Sequence, residues 1–148
     1  MTHREKIVIG LSGGRDSAVC AALLKEEGWE VRGIFLRIGA GNAGERMAAH
    51  EQDARKVADH LGITCHAVDV GKRFSERVLS PFIRDYMNGR TPNPCIKCNP
   101  EVKFHILLDE AHRIGASHMA TGHYARTAIY QKTKRRAIRR GADSGKDQ

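Results

Sequence analysis

The spacing of apolar residues changes period several times along this chain, and each change marks an element. Lys6-Ile7-Val8-Ile9-Gly10-Leu11 is a nearly unbroken apolar run, the pattern of a strand covered on both faces. From residue 15 to 28 the spacing is helical, through Ala18, Val19, Ala22 and Leu23, and Gly28 ends it. Val31, Gly33, Ile34, Phe35 and Leu36 predict a second buried strand, followed by a loop from Gly39 to Gly44. Residues 45–61 predict a helix with Met47, Ala54, Val57, Ala58 and Leu61 on one face and Gly62 as its C-cap. Ile63–Val70 predicts a short third strand. Residues 72–87 are amphipathic (Phe74, Val78, Leu79, Phe82, Ile83, Tyr86), with an interruption expected near Pro81. A loop with two prolines, Asn88 to Pro94, precedes a helix pattern over 99–114. Ser117–His123 predicts a fourth strand running into a glycine turn. Residues 125–141 predict two short strands, Thr127–Gln131 and Ala137–Arg140, around a basic turn.

Strands alternating with helices predict an α/β fold, a parallel sheet with helices on both faces, closed by a short C-terminal β-hairpin tail. Ligands of such sheets bind at the carboxyl ends of the strands. Gly10 to Ser17, Leu36 with the loop after it, and Gly122 all fall there.

Composition narrows the class. A chain of 148 residues suits one domain and buries roughly 70% of its unfolded surface, enough for a core without staples. No run approaches the ~20 apolar residues of a membrane span. Met1 to Lys6 leads straight into a strand, which predicts no signal peptide and a cytoplasmic protein. Four cysteines in that setting point to a reducing compartment. The net charge is +8. It crowds into the last segment: Lys132, Lys134, Arg135, Arg136, Arg139, Arg140 and Lys146 face only Asp143 and Asp147. A nucleic-acid partner and a solvated basic tip both remain open on charge alone.

Two stretches carry chemistry. In the first, the apolar run ends in Ser12-Gly13-Gly14-Arg15-Asp16-Ser17 and a helix follows at once. Backbone N–H groups at the positive end of a helix form a site for phosphate. Gly13 and Gly14 admit close backbone approach, and Ser12 and Ser17 offer hydroxyls. Asp16 suits Mg²⁺ or the helix cap. The stretch lacks the Gly-Lys-Ser/Thr ending of the Walker loop and the G-x-G-x-x-G of the dinucleotide loop. In the second, Cys95 and Cys98 form a C-x-x-C after the proline-stiffened loop. A helix start and the charges of Lys97 and Lys103 are expected to lower a thiol pKa there. A redox pair, half of a metal site and a nucleophile with a neighbour all remain open. Cys20, inside a helix, and Cys65, inside a strand, are expected to be small buried residues. No four-ligand zinc cage and no other metal site emerges.

The string Ser12-Gly13-Gly14-x-Asp16-Ser17 resembles the pyrophosphate (PP) loop of ATP-pyrophosphatases, which split ATP between the α and β phosphates and adenylate a substrate oxygen. With Gly89-Arg90-Thr91-Pro92-Asn93-Pro94-Cys95-x-x-Cys98-Asn99, Lys103-Phe104, Ala120-Thr121-Gly122-His123-Tyr124, Arg140-Gly141-x-Asp143 and Lys146-Asp147-Gln148, the chain resembles tRNA-specific 2-thiouridylases (MnmA/TrmU family) from residue 6 to its last residue. The resemblance implies an adenine nucleotide alpha hydrolase-like, HUP-type PP-loop domain over 1–124. It implies a basic hairpin or tail over 125–148, leading into central and β-barrel domains. It implies ATP and Mg²⁺, a tRNA substrate, and a sulfur-donor or relay protein as partner.

By motif position, Gly10, Leu11, Ser12, Gly13, Gly14, Arg15, Asp16 and Ser17 would hold ATP, with Leu36 and Gly122 as further nucleotide contacts. Asn93, Pro94 and Cys95 would face the target uridine, Cys98 would be the nucleophile beside a catalytic Asp16, and Lys146, Asp147 and Gln148 would touch tRNA. Four departures stand out. Arg15 replaces a small apolar residue and is expected either to clamp a phosphate or to block the pocket. Pro100 replaces a polar residue. Cys95 stands where some members carry Asp; members with Cys there and a third cysteine downstream resemble iron–sulfur-dependent thiolases, and with two of those three ligands here an iron–sulfur cluster is left open but unsupported. The family's second catalytic cysteine lies beyond residue 148, so this chain alone is expected not to complete sulfur transfer. Two alternatives are carried: another PP-loop enzyme, a synthetase or sulfurtransferase, and a nucleotide- or RNA-binding module without turnover.

Overall fold

The computed structural model describes residues 4–38, 44–143 and 145. Four parallel strands form the main sheet: β1 (Lys6–Gly10), β2 (Glu30–Arg37), β3 (Thr64–Asp69) and β4 (His118–Ala120), in the order β3-β2-β1-β4. Register pairs Ile9 with Gly33 on one side and with Ala120 on the other. The chain therefore winds outward from β1 to β3, then crosses back to lay β4 on the other flank. The β1/β4 boundary is the topological switch point, where carboxyl ends diverge and leave a crevice.

Continuous burial of β1 follows from cover on both faces. Ile7, Ile9 and Leu11 pack with Ala21 of α1 (Arg15–Glu26) and with Ala54 and Ala58 of α2 (Gly44–Leu61). Val8, between them in sequence, points the other way, onto Leu107 and Ala111 of the last helix. The small residues on α1 and α2 let those helices lie close to the β-branched strand surface. A third cluster gathers Val70, Val78, Cys98 and Val102 beyond the end of β2.

Two helical runs differ from the expected pattern. The stretch predicted to break near Pro81 is continuous: α3 (Gly71–Phe74) passes through a π-helical turn, Ser75–Leu79, into α4 (Ser80–Met87), with Pro81 in its first turn. A proline has no N–H and crowds the carbonyl four residues back, and a widened turn ahead of it absorbs both without ending the helix. The second run begins before residue 99. It opens as α5 (Pro94–Cys98), widens into a π-helical turn at Asn99–Phe104 and continues as α6 (His105–Arg113). Asn93 caps it, its Oδ1 accepting from the Cys95 N–H at 3.0 Å.

After β4 the chain forms a separate antiparallel hairpin, β5 (Ala125–Tyr130) and β6 (Arg135–Arg140), longer than either predicted strand. Pairing puts Arg126, Arg139, Tyr130 and Arg135 on one face and Thr127, Ile138, Ile129 and Arg136 on the other. Ile138 is 82% exposed, so neither face is packed into the core. Among the described residues no helix is long and apolar enough to cross a membrane.

Candidate nucleotide site and thiol loop

The loop from Gly10 to Ser17 leaves β1 at the switch point and enters α1 directly. Its hydroxyls brace it from within. Ser17 Oγ donates to the Gly14 carbonyl at 3.0 Å and accepts from the Ser12 N–H at 3.2 Å, while Ser12 Oγ accepts from the Gly14 N–H at 3.3 Å. Gly14 is the N-cap residue of α1, and no side chain caps the helix. The first-turn N–H groups are thus left for a ligand. Asp16, expected to hold a metal or to cap, does not cap. It lies on the cavity wall, and the Tyr124 hydroxyl donates to its Oδ1 at 3.1 Å.

The two loop glycines have different jobs. Gly13 has φ +79°, and a Cβ there would stand 2.5 Å from the His50 carbonyl oxygen of α2. Its missing side chain makes room for a helix rather than for a ligand. A Cβ at Gly14 would meet only Ser12 Oγ at 3.4 Å, so this is the position open to close approach. Gly122, after β4, lies against the start of α1: a Cβ would come within 2.8 Å of the Ser17 backbone nitrogen.

A cavity of about 600 Å³ opens from this loop. Gly10 to Gly14, Asp16, Ser17, Leu36 and Gly122 line it, which brings together every predicted nucleotide residue except Arg15. Arg15 is exposed and off the wall, so it does not block the cavity. Sequence reasoning missed other wall residues: Met47, His50 and Asp53 on α2, Ile38, Thr121 and His123. On α2 the spacing 47, 50, 53 is one helix face, and that periodicity was the available signal. His123 Nδ1 lies 2.8 Å from Thr121 Oγ1, with its ring edge-on to Phe104. Burial, and then the charge of Lys103, push its pKa below the ordinary histidine value.

The cysteine loop lies beside this cavity but not on its wall. Asn93, Pro94 and Cys95 are exposed at the start of α5. Cys98 is 8% exposed, in the apolar cluster with Val70, Val78 and Val102. Leu36 and Ile38 pack against that cluster and also line the cavity, so the thiol sits one side-chain layer behind the wall. The expected drop in thiol pKa is not found at Cys98: burial pushes it up, and the Lys103 charge opposes this only in part. Cys98 ends α5 rather than starting it, out of reach of the helix's positive end, and Lys97 is drawn off to Glu101 at 3.5 Å. Asn99 Oδ1 is buried next to it without a hydrogen-bond partner.

Cys20 is half-buried in α1, donating to the Thr121 carbonyl, and Cys65 is half-buried in β3; burial raises both thiols. Among the described residues no three His, Cys, Asp or Glu side chains are grouped to hold a metal. Among the described residues no third cysteine joins Cys95 and Cys98 as a cluster ligand. Mg²⁺ does fit, since it commonly takes one or two carboxylates plus phosphate oxygens, and Asp16 and Asp53 share the cavity. Lys146, Asp147, Gln148 and residues 39–43 lie outside the described residues.

A family model described as the tRNA methyl transferase HUP domain matches residues 5–148. A tRNA-specific 2-thiouridylase MnmA of Pelobacter propionicus is 48% identical over 144 residues, covering 97% of this chain and 40% of its own length. The tRNA-specific 2-thiouridylase MnmA 2 of a Thermoanaerobacter strain is 41% identical over 156 residues, covering 100% of this chain and 43% of its own length. The chain thus spans less than half the length of the curated relatives it matches. Among solved structures, the U34-tRNA thiolase NcsA of Methanococcus maripaludis, with its 4Fe-4S cluster, superposes with a TM-score of 0.59 at 26% identity, over 83% of this chain and 40% of that one. An NMN synthetase of Francisella tularensis, at 23% identity and a TM-score of 0.52 over 78% of this chain and 44% of that one, shares the fold.

Proposed function

Because the chain belongs to the family described as the tRNA methyl transferase HUP domain, we propose that it is the nucleotide-binding, substrate-activating part of a tRNA-specific 2-thiouridylase. The family's description speaks of methyl transfer, but its curated relatives are named for thiolation. A phosphate loop beside a C-x-x-C suits activation followed by sulfur transfer.

ATP occupies the cavity with its phosphates on the Ser12–Ser17 loop and its adenosine toward Leu36 and Gly122. Asp16 would hold Mg²⁺, which would neutralise phosphate charge when bound. The C2 oxygen of the wobble uridine attacks the α phosphorus, and the bond to the β phosphate breaks, releasing pyrophosphate. Asn93, Pro94 and Cys95, exposed beside the cavity, hold the target base. Cys98 carries the thiol for the sulfur step, and a relay protein supplies sulfur. Lys146, Asp147 and Gln148 touch tRNA, and the basic hairpin positions it by its phosphates. These activities belong to a soluble cytoplasmic enzyme.

One observation carries this reading. An uncapped helix start at the sheet's switch point opens into a cavity that shares Leu36 and Ile38 with the cysteine cluster. The test is pyrophosphate release by this chain from ATP, Mg²⁺ and an unmodified anticodon stem–loop. Release that depends on both substrates and vanishes in Asp16→Ala is expected, with loss of Mg²⁺-dependent ATP affinity by calorimetry. The burial of Cys98 favours a second reading, a nucleotide- and RNA-binding module without turnover. ATP and RNA binding without release of pyrophosphate would select it.

A further inference from the structure

Tyr124 ties the basic hairpin to the phosphate loop. Its hydroxyl donates to Asp16 Oδ1 at 3.1 Å, across 108 residues of chain. Asp16 is half-buried on the cavity wall, whereas Tyr124 is 38% exposed and off that wall. A phenylalanine would cover the same surface, so the hydroxyl is what reaches the carboxylate. At 3.1 Å the bond is longer than the ~2.5–2.7 Å usual for a hydroxyl on a carboxylate, which leaves the two groups room to close.

The same residue is the foot of the hairpin. β5 starts at the next position, Ala125, which pairs with Arg140 at the end of β6. Gly141 then lies back against Tyr124: a Cβ at Gly141 would stand 3.3 Å from Tyr124 Cβ and 3.5 Å from its carbonyl oxygen. Both strands thus converge on one tyrosine. Two residues before it, Gly122 rests on the backbone of Asp16 and Ser17, so backbone packing and a side-chain bond both join the hairpin's foot to the first turn of α1. Between residues 125 and 140 there is no Asp or Glu, and the cations include Lys132, Lys134, Arg135, Arg136 and Arg139. Such a surface attracts a polyanion, and RNA phosphates supply one.

We propose that Tyr124 is a positioning residue that couples the two surfaces: by holding Asp16 from the foot of the hairpin, it makes RNA on the hairpin and a nucleotide in the cavity each strengthen the binding of the other. The inference rests on the readings of the cavity as a nucleotide site and of the chain as an RNA binder. A carboxylate accepts at both oxygens, so a hydroxyl on Oδ1 is compatible with a cation held by the same group. A nucleotide in the cavity fixes the Asp16 side chain, and RNA on the hairpin fixes its foot. Each event brings hydroxyl and carboxylate together. The second ligand then meets a bond already closed and loses less freedom in ordering it. The effect is reciprocal, because both ligands act on one equilibrium.

The experiment measures affinities by calorimetry with Mg²⁺ present. A non-hydrolysable ATP analogue is titrated with and without saturating unmodified anticodon stem–loop, and the stem–loop with and without saturating analogue. The unaltered chain is compared with Tyr124→Phe, which removes only the hydroxyl, and with Tyr86→Phe, at an exposed tyrosine of α4, as a control. In the unaltered chain each ligand is expected to tighten the other about fivefold or more. Tyr124→Phe is expected to bring that factor close to one while each ligand alone still binds, and Tyr86→Phe to leave it unchanged. Uniform labelling with 3-fluorotyrosine gives a second readout, since the chain has 3 tyrosines. The ¹⁹F resonance of Tyr124, identified by elimination with Tyr86→Phe and Tyr130→Phe, is expected to shift on addition of either ligand.

Ligands that bind independently, or a coupling that survives in Tyr124→Phe, overturn the inference while the nucleotide site stands. A chain that binds the analogue but no RNA loses the RNA reading and the inference together. Failure to bind the analogue at all removes the nucleotide reading and this inference with it. Should Tyr124→Phe not fold, the fluorine signal decides by itself: a Tyr124 resonance that either ligand leaves in place overturns the inference.

Discussion

At the scale of single residues, the site is built as much by missing side chains as by present ones. Gly122 carries no catalytic group, yet it sets how closely β4 approaches the first turn of α1. A methyl group there would meet backbone atoms of Asp16 and Ser17 at 2.8–3.0 Å, and backbone cannot swing aside as a side chain does. Gly122→Ala is therefore expected to destabilise the fold by about 1–3 kcal/mol and to weaken ATP binding through displacement of the loop. Urea unfolding and calorimetry on the same variant check both, and an unchanged urea midpoint would mean that the β4 end shifts freely. Cys98 makes the opposite point. Its motif was legible, but its chemistry was not, because burial depends on Val70 and Val78, which approach from a different helical run.

At the scale of elements, α2 is held over the cavity by charge. Arg37, at the end of β2, donates from Nε and a terminal nitrogen to the two Glu51 oxygens of α2 at 2.6 and 2.8 Å, and Arg55 adds a bond at 2.9 Å. These bonds hold the Glu51 carboxyl down at about 2. Its folded pKa lies below the unfolded value near 4.5, so the contribution is fully present above that value and is lost as pH falls toward 2. Glu51→Gln is expected to flatten the fall in urea stability over that window. It should also loosen the α2 face bearing Met47, His50 and Asp53, read as weaker ATP binding at neutral pH. An acid limb as steep as that of the unaltered chain would show that other carboxylates set it. Periodicity predicted α2 well, since Ala54 and Ala58 recur on one face. It did not foresee the π-helical turns, whose extra residue depends on tertiary packing.

At the scale of the whole molecule, the hairpin and the sheet are separate surfaces joined at Tyr124, which bonds to Asp16 in the phosphate loop. Arg126, Arg135, Arg139 and Tyr130 stand on one solvated face of the hairpin. If four or more of its cations meet phosphates, the affinity for tRNA should fall with a log–log salt slope steeper than about −2.5. Charge reversal at Arg126 and Arg139 should make that slope shallower, whereas a flat titration would exclude the hairpin from RNA contact.

The order of strands and helices, the phosphate loop and the cysteine pair were all fixed by local pattern. Strand periodicity, a glycine turn and a proline-stiffened helix start need only neighbouring residues to be specified, so the chain alone carried them. Tertiary structure decided what depends on residues distant in the chain. It placed β4 beside β1, which created the crevice, and it turned α2 to supply part of the wall. It buried Cys98 behind Leu36 and Ile38, and it set Lys103 on the cavity wall. Burial and electrostatic environment are sums over everything that packs against a group, and no local spacing encodes that sum.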